Sequence, residues 1–194
     1  LRKLQRPTAP DCLIENTRHW TETFITARQQ NAAHKFSWRS QPCYRTIRTH
    51  LVDMTQAHCA FCDGSVGAES LETIEHFRPK SRFPELAYRW DNLFLCCNAC
   101  QAAKGEHFDD KLLKPDHDDY HFHRHFVNNY RTGELEPNPA ATTEDQERAR
   151  TTLALYRLNS PMRKKLRLDM LKYFNRRDEN DSIDDFHYRF FLEE

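Results

Sequence analysis

Four cysteines in two Cys-x-x-Cys pairs, Cys59/Cys62 and Cys97/Cys100, are the residues whose type and spacing specify chemistry most directly. Thiolates are preferred zinc ligands, and two such pairs supply the four donors of a closed tetrahedral site. Each pair reads as a knuckle, a tight turn that lets two sulfurs converge on one ion. Cys96 could replace Cys97 only through a three-residue spacing, which suits a knuckle less well. Between the pairs stand an acidic residue and a histidine in succession, Glu75-His76, and then Asn92. Cleaving a phosphodiester requires a base to activate water and a divalent cation to offset charge on the phosphate and leaving oxygen. Histidine can be that base at neutral pH. A carboxylate with an amide carbonyl can hold Mg2+ or Mn2+, hard cations that take oxygen ligands. A Glu-His dipeptide alone is equally the mark of a packed or solvated histidine. Its place inside a zinc-stapled loop is what gives it weight.

The elements that must position these residues can be read from apolar spacing. Residues 1–13 contain prolines and read as irregular. Trp20, Phe24, Ile25 and Ala27 suit an amphipathic helix from Glu15 to about Ala33, and Tyr44, Ile47, Leu51 and Met54 a second one from about Pro42 to Gln56. After the first knuckle, residues 63–70 read as a loop. Residues 71–77 (LETIEHF) have the content of a short strand that Pro79 ends. Leu86, Tyr88, Trp90 and Leu93 anchor a small core, and residues 98–104 start a helix that Gly105 closes. The expected order of knuckle, hairpin or loop with Glu-His, Asn92, knuckle and helix is a ββα arrangement closed by zinc.

Further on, His121, His123 and His125 alternate with Phe122, Arg124 and Phe126. This period of two predicts a strand rather than a second metal site, followed by a hairpin turn at residues 131–134. Residues 143–158 read as a helix with Leu153, Leu155, Tyr156 and Leu158 inward. Ser160-Pro161 opens a basic helix to about Phe174, with Leu166, Met170 and Leu171 as its apolar residues. The closing FHYRFFLEE is either a last core strand or a docking peptide. The expected fold class is therefore α+β and mostly helical. An N-terminal helical segment (1–57) precedes a zinc-stapled core (58–108), and a hairpin with a C-terminal helical extension and acidic aromatic tail (109–194) follows.

Composition bounds the function classes. The chain is 30% charged with only four glycines, and its 13 Phe, 7 Tyr and 3 Trp carry much of the core. A formal net charge of zero argues against coating nucleic acid by bulk charge. The charge is segregated, however: residues 163–177 hold seven Lys/Arg against one acid, and residues 178–194 the reverse. No apolar run reaches the roughly 18 residues that a membrane span requires. With no apolar signal region at the N-terminus, the chain is expected to be cytoplasmic, where Cys12, Cys43 and Cys96 would be isolated buried thiols.

The pattern Cys-x2-Cys…Glu-His…Asn…Cys-x2-Cys…Lys resembles the HNH (ββα-metal, or His-Me finger) endonucleases. The wording IEHFRPKSRFPELAYRWDNL…CNACQAAKG and TGELEPNP…TLALYRLNSPMRKKLR is similar to the HNH proteins of Septu-type and retron-associated anti-phage defence. The resemblance covers roughly residues 55–168. It implies a metal-dependent endonuclease that cuts DNA or RNA beside an ABC-type ATPase, with a retron reverse transcriptase and its RNA/DNA product as companions in some systems. It makes His76 the general base and Glu75 a ligand of catalytic Mg2+ or Mn2+. Asn92 would orient the base or the metal-bound scissile phosphate and help hold the cation. The third motif position, usually His or Asn, falls on Gln101, a weaker ligand that Glu106 or His107 could supplement. Arg78, Lys80 and Lys104 would contact phosphates. No Walker-type loop is present, so ATP hydrolysis would belong to another chain. The alternative is a zinc-stapled binding or adaptor subunit that grips nucleic acid or a partner without cutting.

Overall fold

Pro10 opens the first helix: its carbonyl accepts from the Leu13 and Ile14 amides at 2.8 and 3.0 Å. As a result α1 (Asp11–Gln30) starts four residues before the expected Glu15 and buries Leu13 and Phe24. The computed structural model describes residues 1–38, 42–67 and 72–193. α2 (Tyr44–Thr55) turns Ile47, Leu51 and Thr55 inward at helical spacing and ends on Gln56 in the left-handed region. No helix among the described residues is long and apolar enough to cross a membrane.

β1 (Glu72–His76) pairs antiparallel with β2 (Leu93–Cys97), setting Glu72 opposite Cys97 and His76 opposite Leu93. Residues 68–70 of the expected loop and Leu71 at the head of the expected strand lie outside the described residues. All five residues of β2 are buried, as in a strand covered on both faces. α3 (Asn98–Lys104) follows without a gap. Cys97 is both the last residue of β2 and the N-cap of α3, its Sγ accepting from the Cys100 amide at 3.4 Å. The second knuckle therefore joins the hairpin to the helix.

The histidine-rich segment departs from expectation. His121 to His125 do not form a strand. Residues Phe122–His125 make one helical turn, α4, and the strand β3 (Phe126–Asn129) begins only after it. The turn swings His125 inward, where its Nδ1 reaches the His121 carbonyl at 3.0 Å and its ring stacks on Tyr120. His125 is fully buried, with Nε2 3.3 Å from Asp145 Oδ1. β3 pairs with β4 (Glu134–Pro137) through a turn in which Gly133 has φ 74°. A Cβ there would collide with the Lys164 carbonyl, so only glycine fits.

α5 (Thr143–Leu155) is capped by Thr142, whose hydroxyl accepts from the Asp145 amide at 3.1 Å. α6 (Pro161–Phe174) packs Met170 and Leu171 against the core as its apolar pattern predicts, but not Leu166. Its buried residues are Arg163 and Arg167, while Leu166 and Met162 are exposed. The aromatic tail belongs to the core, although it forms no strand. Tyr188, Phe190, Phe191 and Leu192 are buried around a single 3-10 turn (Arg189–Phe191). The architecture is α+β: six α-helices and two two-stranded sheets among the described residues.

Candidate metal centre and reaction cleft

The four motif cysteines converge. One sulfur from each of Cys59, Cys62, Cys97 and Cys100 lies within 4.8 Å of the others, and all four residues are buried. The first knuckle is closed by backbone bonds, Cys59 N–H to the Gly64 carbonyl at 2.8 Å and Asp63 N–H to the Cys59 carbonyl at 2.9 Å. The Cys62 and Cys97 sulfurs are 3.7 Å apart. Sulfurs at the corners of a tetrahedron with zinc–sulfur bonds of about 2.3 Å would be roughly 3.8 Å apart, so the set fits zinc. Hydrogen bonds from Cys100 and Cys59 pull the Cys62 thiol below its ordinary value, and one from Cys100 does the same for Cys97. Burial pushes the Cys100 thiol up. Four sulfurs this close and this dry can all ionise only around a cation.

Two further residues lie beside the cluster, and the first carried no metal signal in the sequence. Arg163, on α6, donates from Nη2 to the Cys100 sulfur at 3.0 Å and faces Cys97 at 3.9 Å. Burial opposes its charge, but the Cys100, Cys62 and Cys97 sulfurs more than offset that and hold it above the ordinary arginine range. A zinc ion with four thiolates carries two net negative charges, and a buried guanidinium cancels part of that. Cys96 is a fifth thiol, 4.0 Å from Cys59, and burial keeps it protonated. Cys12 and Cys43 are not isolated. They contact each other, and burial with the Cys12 contact raises Cys43 to about 12.

The residues between the knuckles line a cleft of about 270 Å³ that takes in Glu75, His76, Lys80, Gln101 and Glu106. His76 Nε2 lies 2.9 Å from the Ala87 carbonyl. A carbonyl can only accept, so Nε2 carries the proton and Nδ1 keeps the lone pair. The ring stacks on Trp38 and meets Phe36 edge-on, which fixes its orientation. Burial, with Lys80 nearby, lowers its pKa to about 3, so the imidazole is neutral at pH 7.

Asn92 has a different occupation. Its Oδ1 accepts from the Arg78 amide at 2.8 Å, and its Nδ2 donates to the Arg78 and Leu86 carbonyls at 3.1 and 3.0 Å. It clamps the loop that follows β1, with both amide hydrogens and one Oδ1 lone pair committed to backbone. Lys104, expected as a phosphate contact, is fully buried. Its ammonium donates to Glu75 Oε1 at 2.6 Å and to the His76 carbonyl at 3.0 Å. Burial raises the Glu75 pKa, and Lys104 pulls it part of the way back; Gln101 adds a hydrogen bond. This donor set does not fit a divalent cation as arranged, because its one interior carboxylate already holds an ammonium. Lys80 sits half-buried at the cleft over the Phe36 ring. Arg78 is exposed, lying over Phe83 and Phe108 and 3.6 Å from Asp110.

No protein-family model matches this chain. It is similar to Septu protein PtuB. The PtuB of Bacillus thuringiensis is 31% identical over 105 residues, 54% of this chain and 37% of that protein. The PtuB of Bacillus mycoides strain KBAB4 is 28% identical over 76 residues, 32% of this chain and 26% of that protein. The match thus spans little more than a third of the length of the first relative and about a quarter of the second.

A second buried ion pair ties the first knuckle to the tail. Arg189 Nη2 meets Asp63 Oδ1 at 2.6 Å, and the Arg189 amide donates to Asp63 Oδ2 at the same distance. Arg163, Lys104 and Arg189 thus close the frame with three buried cations. The chain carried a signal for one of them, since Lys104 is four residues after Cys100 and must share its helix face. Arg163 and Arg189 are far from the cysteines in sequence and gave none.

Proposed function

We propose that this chain is a nucleic-acid-cleaving subunit of a Septu-type anti-phage defence complex, acting beside an ABC-type ATPase. The observation that carries the reading is His76, a neutral imidazole tethered at Nε2 and ring-stacked in place on the edge of a zinc-type frame. In this reading Nδ1 takes the proton from the water that attacks phosphorus once entry of substrate or a partner has hydrated the ring and restored the basicity that burial removes. Lys80 offsets charge on the phosphate, and exposed Arg78 holds the strand beside the cleft. A divalent cation would supply Lewis-acid charge at the phosphate when bound, and no step above relies on one. Zinc, when bound, would hold the first knuckle to the end of β2 and the start of α3. With zero formal charge the chain is expected to bind nucleic acid weakly alone, so a partner presents the substrate.

A second reading has an observation of its own. His76 is only 4% exposed and Glu75 is engaged by Lys104, as in an adaptor whose site has been closed off. The test incubates phage DNA and cellular RNA with the wild-type chain, alone and with the ATPase, and with a His76 variant. Cleavage of either nucleic acid that depends on His76 supports the nuclease. Defence that survives loss of His76 supports the adaptor.

A further inference from the structure

The candidate reaction cleft already contains a cation. Lys104 is fully buried, and its ammonium makes one hydrogen bond of 2.6 Å to Glu75 Oε1 and another of 3.0 Å to the His76 carbonyl. It therefore bridges the side chain of one proposed catalytic residue and the backbone of the next. Glu75 is itself buried, and a carboxylate stripped of water must be paired to stay charged. The other oxygen donors nearby carry contacts of their own. Asn92 makes three backbone hydrogen bonds. Gln101 donates to Glu75, and Glu106 accepts from the Ser81 hydroxyl.

We propose that the Lys104 ammonium is the resident cation of the Glu75 carboxylate, so that a divalent cation can enter this cleft only by displacing it. The two cations compete for the same oxygen, and the lysine has the advantage of being tethered. Its α3 position, one turn beyond Cys100, is set by the cysteine frame, so the competitor is built in wherever zinc has organised the fold. A divalent ion would have to break two charged hydrogen bonds and move an ammonium out of a dry site. Opening of the cleft by substrate or by a partner chain is the event that could supply that work. The idea rests on the reading of this cleft as the reacting centre, but it concerns cation occupancy and is tested without nucleic acid.

The experiment is calorimetric titration of Mn2+ into the zinc-loaded full chain as wild type, Glu75→Gln, Lys104→Met and the double variant. Wild type is expected to match Glu75→Gln, with no heat attributable to the carboxylate. Lys104→Met should gain one Mn2+ site, bound roughly tenfold or more tighter than any wild-type site and lost again in the double variant. If Lys104→Met fails to fold because Glu75 is left unpaired, Mn2+ should restore its thermal transition. Absence of both binding and rescue counts against the proposal. A wild type that binds Mn2+ through Glu75 as tightly as Lys104→Met overturns it. Cleavage assays decide the nuclease reading separately, since a chain can pass either test and fail the other.

Discussion

His76 shows how a residue's surroundings set its chemistry. Its pKa of about 3 follows from burial first, with Lys80 and Lys104 adding repulsion and the Ala87 hydrogen bond working the other way. The unfolded chain takes up a proton near pH 6.5, whereas the folded chain resists until about pH 3. Protons then favour the unfolded state across that window, so this contribution to stability is complete above about pH 6.5 and lost as pH falls through about 3. Glu75, raised by burial, acts in the opposite sense and takes up its proton more readily when folded. Denaturant titrations of wild type and His76→Gln between neutral and acid pH separate the two. The difference in stability between them should shrink as pH falls, and a constant difference would show that the ring is not held neutral. The donor types at this scale were legible in the sequence: cysteine pairs, a histidine, a carboxylate. Where each side chain spends its hydrogen bonds was not. Asn92 and Lys104 have the right chemistry for ligand and phosphate contact, yet folding uses both internally.

At the scale of elements, the second knuckle and α6 form one unit. α6 would normally be placed by its apolar residues, but here the helix faces the core with Arg163 and Arg167, four residues apart. Arg167 donates to the Gly133 and Leu158 carbonyls at 2.6 and 2.9 Å, and Arg163 to the Cys100 sulfur. The Ser160-Pro161 break and the apolar spacing gave the helix, and Met170 and Leu171 do pack against the core, but Leu166 is exposed and Arg163 and Arg167 are the buried residues, satisfied in part by groups remote in sequence. Similarly, the alternation at His121 to His125 suited a strand, and a single helical turn is too short to show its own period. The Arg163 contact predicts that Arg163→Met weakens zinc retention by about 10–100-fold, the usual effect of removing a group that supports a ligand. Arg163→Lys should recover part of the loss. Zinc release to a chromogenic chelator measures this, and unchanged release in Arg163→Met would mean that the guanidinium only packs there.

For the whole molecule, the frame is closed by contacts between its sequence extremes. Asp63 in the first knuckle and Arg189 in the tail are each nearly inaccessible, and Arg189 also reaches the Thr55 carbonyl at 3.2 Å. The acidic, aromatic tail could equally have been a docking peptide on composition; burial of Phe190 and Phe191 places it in the core. Leaving Asp63 buried without its partner should cost about 3–5 kcal/mol, so Arg189→Met is expected to unfold at markedly lower denaturant. A loss within ordinary surface values would contradict that role. The knuckle–hairpin–knuckle–helix order was visible in the chain because metal ligands and turn residues fix it locally. The bonds that hold it against the rest were not, since they join residues 63 positions apart at Arg163–Cys100 and 126 apart at Arg189–Asp63. The central claim is that this frame exists to present His76 as a base. It is tested most directly by the cleavage rate of the ATPase-bound chain with His76→Gln, whose amide can keep the Ala87 bond but cannot accept a proton. The account predicts a rate loss of about 10²–10⁴-fold with zinc content and folding unchanged; an equal rate in the variant would contradict it.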